Sequence, residues 1–314
     1  MNPATLQSAP TGINFSAIPS IDADPDQRLA EQWNICWRAT SMVDTFVNQP
    51  LRADLCQEEI MGPSFRMNID NTTGICRALT SRWPVTEVVG GRFASSSIFR
   101  NINWTTLLPT QLRTYQAIQT IGSSAPDSSG VGPNFIDIEP GNIVPLGRNS
   151  FRVQLAYVSG WPHTSLTESS LAGATTLTVD DVTGWAGTVG QIYDGAETES
   201  VTVASVAANT TTTIFGQTVP TGPGTLTLTA PLSYNHQPQA IVSSLPADIQ
   251  WATILYCCVQ ALTRGGVATQ LPATGIPGAF STASYPAHLN VGRSSVGTIQ
   301  RDAEQLLLPY RRVI

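Results

Sequence analysis

The first strongly patterned stretch of the chain is typical of an amphipathic helix. Asp24 and Pro25 suit its N-cap and first turn, Gln27 completes a capping-box-like pattern, and Asn48-Gln49-Pro50 ends it. Between these limits the mostly apolar positions recur at helical spacing. They are Leu29, Trp33, Cys36, Trp37, Thr40, Val43 and Val47. Such a stripe normally faces the core, so we expect both tryptophans to be core residues rather than part of a ligand site.

Two further helices are predicted in the C-terminal part of the chain. One starts at Pro246 and stops at Gly265-Gly266, and it is apolar on nearly every face, so we expect it to be buried. The other starts at Ser294 or Ser295 and stops at Pro309. Its apolar stripe docks either on the chain's own domain or on a neighbouring subunit, and both alternatives stay open. The stripe consists of Ile299, Ala303, Leu306 and Leu307.

Residues 63–160 are predicted to form strands separated by loops. Trp83 to Val89 starts one strand, and Phe135 to Ile138 is a second candidate. Phe151 to Val158 alternates large apolar residues with others and stops at Gly160-Trp161-Pro162. Residues 121–134 are rich in Gly, Ser and Pro, which favours a loop.

The composition changes at about residue 164. No basic residue occurs between Arg152 and Arg264, and alternating Thr and Val patterns recur, as in Thr176 to Val179 and Thr225 to Leu228. Asp194-Gly195 is a hairpin turn signal. These patterns predict a small all-β module of about 75 residues. The stretch between the two arginines contains seven acids: Glu168, Asp180, Asp181, Asp194, Glu197, Glu199 and Asp248.

Together the patterns predict an α+β protein, in which helices and short strands accompany a small all-β domain at residues 164–240. Residues 1–21 have no periodic pattern and are predicted to be an N-terminal arm that is ordered on assembly. Residues 267–314 are predicted to be a C-terminal arm that carries the last helix.

The amino-acid composition limits the classes of protein to which the chain can belong. Hydrophobic residues make up 41% of the chain and charged residues only 12%, which is half the roughly 25% of ordinary globular chains. A neutral surface suits contacts with other subunits, although a compositional bias explains it equally well. All basic residues are Arg, which favours interfaces but also follows from GC-rich coding. The net charge of −6 argues against a conventional nucleic-acid-binding protein.

The sequence carries no recognisable catalytic or metal-binding set. A phosphate loop of the Gly-Lys type is excluded because the chain has no Lys. The five cysteines lack metal-ligand spacing, and His163, His236 and His288 lie near prolines in loop-like sequence. Asp194, Glu197 and Glu199 offer carboxylates for Ca²⁺, but acids on a solvated hairpin are the more common explanation. We therefore expect no enzyme activity, no cofactor and no metal. The lack of a signal segment and of a long apolar run also predicts neither secretion nor a membrane span.

The order of these elements resembles the head–tail connector, or adaptor, proteins of long-tailed bacteriophages. The segment Ala39 to Arg52 looks like the opening helix of that family, and Arg82-Trp83-Pro84-Val85 stands where a Trp-Pro strand begins. Arg152 to Pro162 resembles the family's strand that ends in a Tyr-x-x-Gly-aromatic-Pro turn. Leu245 to Ile249 opens the closing helix about 80 residues later than in short members. The resemblance therefore implies a small helical adaptor core with short strands at residues 22–163 and 241–266, into which residues 164–240 look inserted.

The resemblance implies a structural virion protein of the neck region, assembled in the host cytoplasm. It implies a homo-oligomeric ring, commonly of twelve subunits, beneath the portal protein. Such a ring extends the channel through which DNA passes and binds the next neck or tail protein. We expect residues 1–21 to contact a neighbour and the insert to face outward or toward the next ring. The candidate interface residues of the C-terminal arm are Leu306, Leu307, Arg311 and Arg312.

Two other functions remain open at this stage. The first is a tail or virion-surface binding protein whose all-β domain contacts the host or a carbohydrate. It is motivated by the Thr-rich strands and by Trp185 in a glycine-flanked loop. The second is an enzyme such as a peptidoglycan hydrolase, which ranks last because no paired acid and nucleophile stand out.

Overall fold

The structure is a computed structural model. It describes residues 2–11, 13–15, 18, 24–62, 64–69, 74–95, 104–114, 135–139, 151–195, 197–263 and 295–311. Within these ranges the chain forms four α-helices and fourteen β-strands.

The helices and strands have the following bounds. The helices are α1 (Pro3–Ser8), α2 (Pro25–Val47), α3 (Ala247–Thr263) and α4 (Ser295–Leu307), and a 3-10 turn at Leu308–Tyr310 follows α4. The strands are β1 (Asp54–Gly62), β2 (Met67–Ile69), β3 (Cys76–Leu79), β4 (Val85–Ser95), β5 (Thr105–Leu107), β6 (Leu112–Thr114), β7 (Phe135–Ile138), β8 (Phe151–Ser159), β9 (His163–Ser165), β10 (Thr176–Val179), β11 (Val189–Asp194), β12 (Glu197–Ile214), β13 (Gln217–Leu228) and β14 (Ile241–Ser243).

The four helices share one hydrophobic core. Helix α3 packs against both α2 and α4, and nearly all of its residues from Ile249 to Ala261 are buried. This confirms the prediction that this helix lies inside. Helix α2 ends where predicted, because Asn48 adopts the left-handed conformation (φ 60°) and its N–H bonds back to the last turn. At the other end, Asp24 makes no side-chain capping hydrogen bond.

Two four-stranded antiparallel sheets follow α2. One has the order β1-β8-β4-β5 and the other the order β2-β3-β7-β6. Central strand β8 is buried on both faces, since Leu155 and Tyr157 enter the core between the two sheets while Ala156 and Val158 lie on the opposite face. The near-continuous apolar sequence of β8 follows from this two-sided burial.

A six-stranded antiparallel sheet with the order β10-β13-β12-β11-β14-β9 comprises the predicted insert. Its longest strand, β12, pairs with β11 through its first third and with β13 through the rest of its length. The predicted hairpin turn is confirmed, because Asp194 pairs with Glu197 and Gly195 has a positive φ of 61°. Strand β14, which the sequence analysis assigned to the core, pairs with β9 and β11 of this sheet.

The chain is therefore a mixture of helix and strand, as predicted, but it is richer in strand than a small helical core with short strands. Strand β12 has 18 residues and β4 has 11. Strand β1 was not predicted, because Asp54, Glu58 and Glu59 interrupt its apolar pattern. Its nine residues all pair with β8, so tertiary pairing and not local pattern determines this strand.

Candidate functional site

One face of α2 carries large apolar side chains that the described structure leaves exposed, as at Trp37, or only partly covers, as at Trp33. Leu29, Trp33 and Trp37 follow one another at four-residue spacing, and we call them the tryptophan face. Trp37 is 64% exposed and Leu29 is 49% exposed. The two indole rings lie 6.1 Å apart, between centroids, and are tilted by 38°. The rings therefore form a continuous aromatic surface at the outside of the helical core.

The tryptophan face corrects the prediction that both tryptophans are core residues. The stripe that packs inside is displaced around α2, and it contains Gln32, which the sequence analysis did not select. The side-chain amide of Gln32 donates to the carbonyl oxygen of Phe15 at 2.9 Å, which satisfies this polar group within the core. The buried residues of α2 are Gln32, Ile35, Cys36, Ala39, Val43 and Val47.

The N-terminal segment packs on its own chain. The side chains of Leu6 in α1, Phe15 and Ile18 lie in the helical core, and at most 1% of each residue is exposed. The side-chain amide of Asn2 donates to the carbonyl oxygen of Gln239 at 2.9 Å, which joins this segment to the loop before β14. These residues therefore pack on their own chain instead of extending from it, and the contact of residues 1–21 with a neighbour stays a prediction. The few anchoring residues are too far apart in sequence to give a periodic pattern.

The predicted interface residues of the C-terminal arm have different environments. Leu307 is fully buried in the helical core and Leu306 packs at its edge, so the stripe of α4 docks on the chain's own domain. The Arg311 guanidinium lies 5.3 Å from the ring centroid of Phe46, and Arg312 lies outside the described residues. Beside them, the ring of Tyr310 meets Trp161 edge-on, with 5.8 Å between centroids. Leu307 is therefore a core residue and not an exposed contact.

The acidic hairpin of the insert holds a loop of its own domain. The Nε2 atom of fully buried His236 lies 2.8 Å from Glu199, and its Nδ1 atom lies 3.6 Å from Asp194. The backbone amides of Ser233 and Tyr234 donate to Glu199 as well. Burial acts to raise the pKa of Glu199, but these hydrogen bonds outweigh it and lower the pKa.

This geometry bears on the proposed Ca²⁺ ligands. Asp194 and Glu199 face opposite nitrogens of the His236 ring, so they do not converge on one cation position. Among the residues that the structure describes, no group of three or more His, Cys, Asp or Glu side chains could hold a metal ion.

The insert is fastened to the core at a second place besides its ends. The hairpin of β12 and β13 packs over the outer face of the β1-β8-β4 sheet, where Val219 meets Val89 and Val158. At the hairpin tip, the Arg92 guanidinium lies 4.7 Å from the ring centroid of Phe215. Trp185, which suggested a carbohydrate site, is fully buried and offers no ring to a ligand.

A cavity of about 160 Å³ lies where the helical core meets the six-stranded sheet. On its wall, the Nδ1 atom of His163 lies 2.9 Å from the hydroxyl oxygen of Ser243. Burial, aided by the charge of Arg52, lowers the pKa of His163 to about 3, so the ring is uncharged at neutral pH. The sequence analysis missed this pair, because the two residues are 80 positions apart and meet only through the pairing of β9 with β14.

Comparison of the chain with protein-family models, with curated proteins and with solved structures found no match. None of the helices within the described ranges is long and apolar enough to cross a membrane.

Proposed function

We propose that this chain is a structural subunit of a bacteriophage neck, a head–tail adaptor that forms a ring beneath the portal protein. The ring extends the DNA channel and binds the next neck or tail protein. It acts through its interfaces and not through a catalytic pocket. The observation that carries the proposal is the tryptophan face of α2.

The tryptophan face supports a subunit contact for a physical reason. Leaving most of Trp37 and half of Leu29 in water forgoes up to roughly 1.5 to 3 kcal/mol for each side chain that a partner could cover. Aromatic residues are also enriched at the centres of protein interfaces. The burial of Leu6 and Leu307 within the chain removes the two terminal segments as the main apolar contacts. Among the described residues, the tryptophan face is then a contiguous apolar surface that a neighbour could cover.

The arrangement of the resembling segments gives further support. Trp83 at the start of β4 and Trp161 after β8 both join the hydrophobic core that α2 and α3 build. The segments that carry the resemblance are thus one packed unit, although α3 follows β8 only after the whole insert. A ring requires a head-to-tail contact between two different surfaces of the subunit, and the tryptophan face is one such surface.

Electron microscopy of the purified protein mixed with portal rings from the same source tests this proposal. We expect a second annulus stacked on the portal. Trp37→Ala should abolish the annulus, whereas Leu171→Ala, which truncates an equally exposed side chain (68%) on the insert, should retain it. Bare portals with folded wild-type protein would contradict the adaptor function. An annulus formed by both variants would contradict the role of the tryptophan face.

A further inference from the structure

The cavity at the junction of the helical core and the six-stranded sheet has an apolar body. Its walls come from α1, α2 with the segment after it, strands β9, β11 and β14, and α3 with the segment before it. The aliphatic lining consists of Val43, Leu51, Ile241, Leu245, Ile249 and Ile254. Its volume of about 160 Å³ is close to that of the engineered apolar cavity of roughly 150 Å³ that binds benzene. A single six-membered ring therefore fits.

One polar group at the wall of the cavity lacks a partner. The hydroxyl oxygen of Thr5 on α1 is buried and makes no hydrogen bond with any described residue. The neighbouring polar groups are occupied, since the side-chain amide of Gln250 donates to the carbonyl oxygen of Leu245 and the hydroxyl of Thr253 donates to that of Ile249. A buried hydroxyl without a partner is costly, so a ligand that bonds to Thr5 recovers that free energy.

The charges around the cavity favour a neutral ligand. The Arg52 guanidinium is held by the carboxylate of Asp181, with 2.6 Å between the charged atoms. His163 is uncharged at neutral pH, as described above. Burial raises the pKa of Asp44, whose carboxylate accepts a hydrogen bond from the backbone N–H of Leu51, so a second anion nearby is disfavoured.

We propose that this cavity is a binding site for a small, neutral, largely apolar molecule that carries one hydroxyl group, of the size and chemistry of a phenol. The ring lies among the aliphatic side chains of α2 and α3, and its hydroxyl group bonds to the Thr5 hydroxyl. Nothing in this site depends on ring assembly, so its test is independent of portal binding.

Calorimetric titration and thermal unfolding of the full chain with p-cresol, toluene and benzoate test the site. Both neutral ligands should bind and raise Tm with increasing concentration, p-cresol more tightly than toluene. Benzoate, of similar size but charged, should not bind. Absence of binding by both neutral ligands, or equal binding by benzoate, would overturn the proposal.

Two variants locate the ligand. Thr5→Val removes the hydroxyl at constant volume. It should therefore weaken the affinity for p-cresol about three- to tenfold, as expected for the loss of one hydrogen bond, and leave the affinity for toluene unchanged. Thr202→Val, on the exposed face of β12, is the matched control and should change the affinity for neither ligand. Val43→Phe fills the cavity and should abolish binding of both. Should Val43→Phe fail to fold, Ile254→Phe replaces it. Unchanged binding in a folded filling variant, or equal losses for both ligands in Thr5→Val, would refute the assignment.

Discussion

The guanidinium of Arg52 lies 2.6 Å from the carboxylate of Asp181, and this contact joins the segment after α2 to the six-stranded sheet. The two partners differ in what else they do. Arg52 is 55% exposed, whereas Asp181 also accepts hydrogen bonds from the backbone N–H and hydroxyl of Thr183 and from the N–H of Gly222. Burial acts to raise the pKa of Asp181. The hydrogen bonds from Thr183 and the charge of Arg52 outweigh burial, so the pKa of Asp181 is lowered.

We therefore expect an asymmetric response to removal of the two partners. Arg52→Ala should lower the free energy of unfolding by less than about 1 kcal/mol, because its side chain is solvated. Asp181→Ala should cost about 1 to 3 kcal/mol, because it leaves two backbone amides without a partner. Urea unfolding of both variants and of the double variant measures the difference. Equal losses would show that Asp181 acts only through Arg52.

Glu58 should make stability depend on pH in the acid range. Its carboxylate is bound by the Arg66 guanidinium, the Ser81 amide and the Tyr157 hydroxyl. Burial opposes them, but they lower its pKa below the ordinary 4.5. A lowered folded-state pKa stabilises the fold fully above the ordinary value, and this contribution is lost as the pH falls through the folded-state value. Urea unfolding of wild type and Glu58→Gln should show a larger difference in the free energy of unfolding at pH 7 than in acid, and the difference should shrink as the pH falls below the ordinary 4.5. A gap independent of pH would contradict the assignment.

The two faces of α2 should respond differently to truncation. Ile35 is fully buried, so Ile35→Ala should cost about 2 to 5 kcal/mol. Trp37→Ala should change the free energy of unfolding by no more than about 0.5 kcal/mol, because most of that side chain is already in water. Thermal unfolding at low protein concentration separates the two effects. A large loss for Trp37→Ala in the monomer would indicate a core role after all.

The end of α4 provides a similar pair of adjacent leucines. Leu307 is fully buried and Leu308 is 54% exposed. Leu307→Ala should cost about 2 to 5 kcal/mol, and Leu308→Ala should be nearly neutral. Chemical unfolding monitored by tryptophan fluorescence is suitable, because Trp161 contacts Tyr310 just beyond these residues. Neutral effects of both variants would mean that α4 does not pack on the core in solution.

Replacement of two glycines by alanine should change the stability of the protein in opposite directions. A Cβ atom at Gly190 would lie 2.7 Å from the ring of buried Trp185, so Gly190→Ala should destabilise the insert by about 1 to 3 kcal/mol. At Gly297 in α4 no atom lies within 4 Å of the added carbon, so Gly297→Ala should stabilise the protein by up to about 1 kcal/mol. Differential scanning calorimetry of the two variants checks both signs.

The elements that the sequence predicted well carry their signals locally. Both ends of α2 and the start of α3 lie at the proline and asparagine positions that were expected, because capping and helix-breaking act within one turn. The predicted stop of α3 at Gly265-Gly266 lies outside the described residues. Strands β7 and β8 were predicted within one residue, since their apolar runs are short and bounded by turn residues.

The features that were missed depend on contacts between distant residues. The face of α2 that is buried is decided by where α3 and Phe15 lie, and the helical period alone cannot distinguish two adjacent apolar stripes. Likewise, the cavity and its Ser243–His163 pair exist only once β9 and β14 are side by side. The function drawn from the resemblance stays a prediction for the portal experiment.

The hairpin that lies over the β1-β8-β4 sheet has a consequence for the solubility of the chain. Val89 and Val158 are buried in one cluster with Val219, and Ile214 and Phe215 of the same hairpin pack against it. Excision of residues 164–240 would expose an apolar strip along the middle of the sheet, and this exposed surface would promote aggregation. Residues 164–240 therefore contribute to the solubility of the remaining chain, which without them would need polar residues at Val89 and Val158.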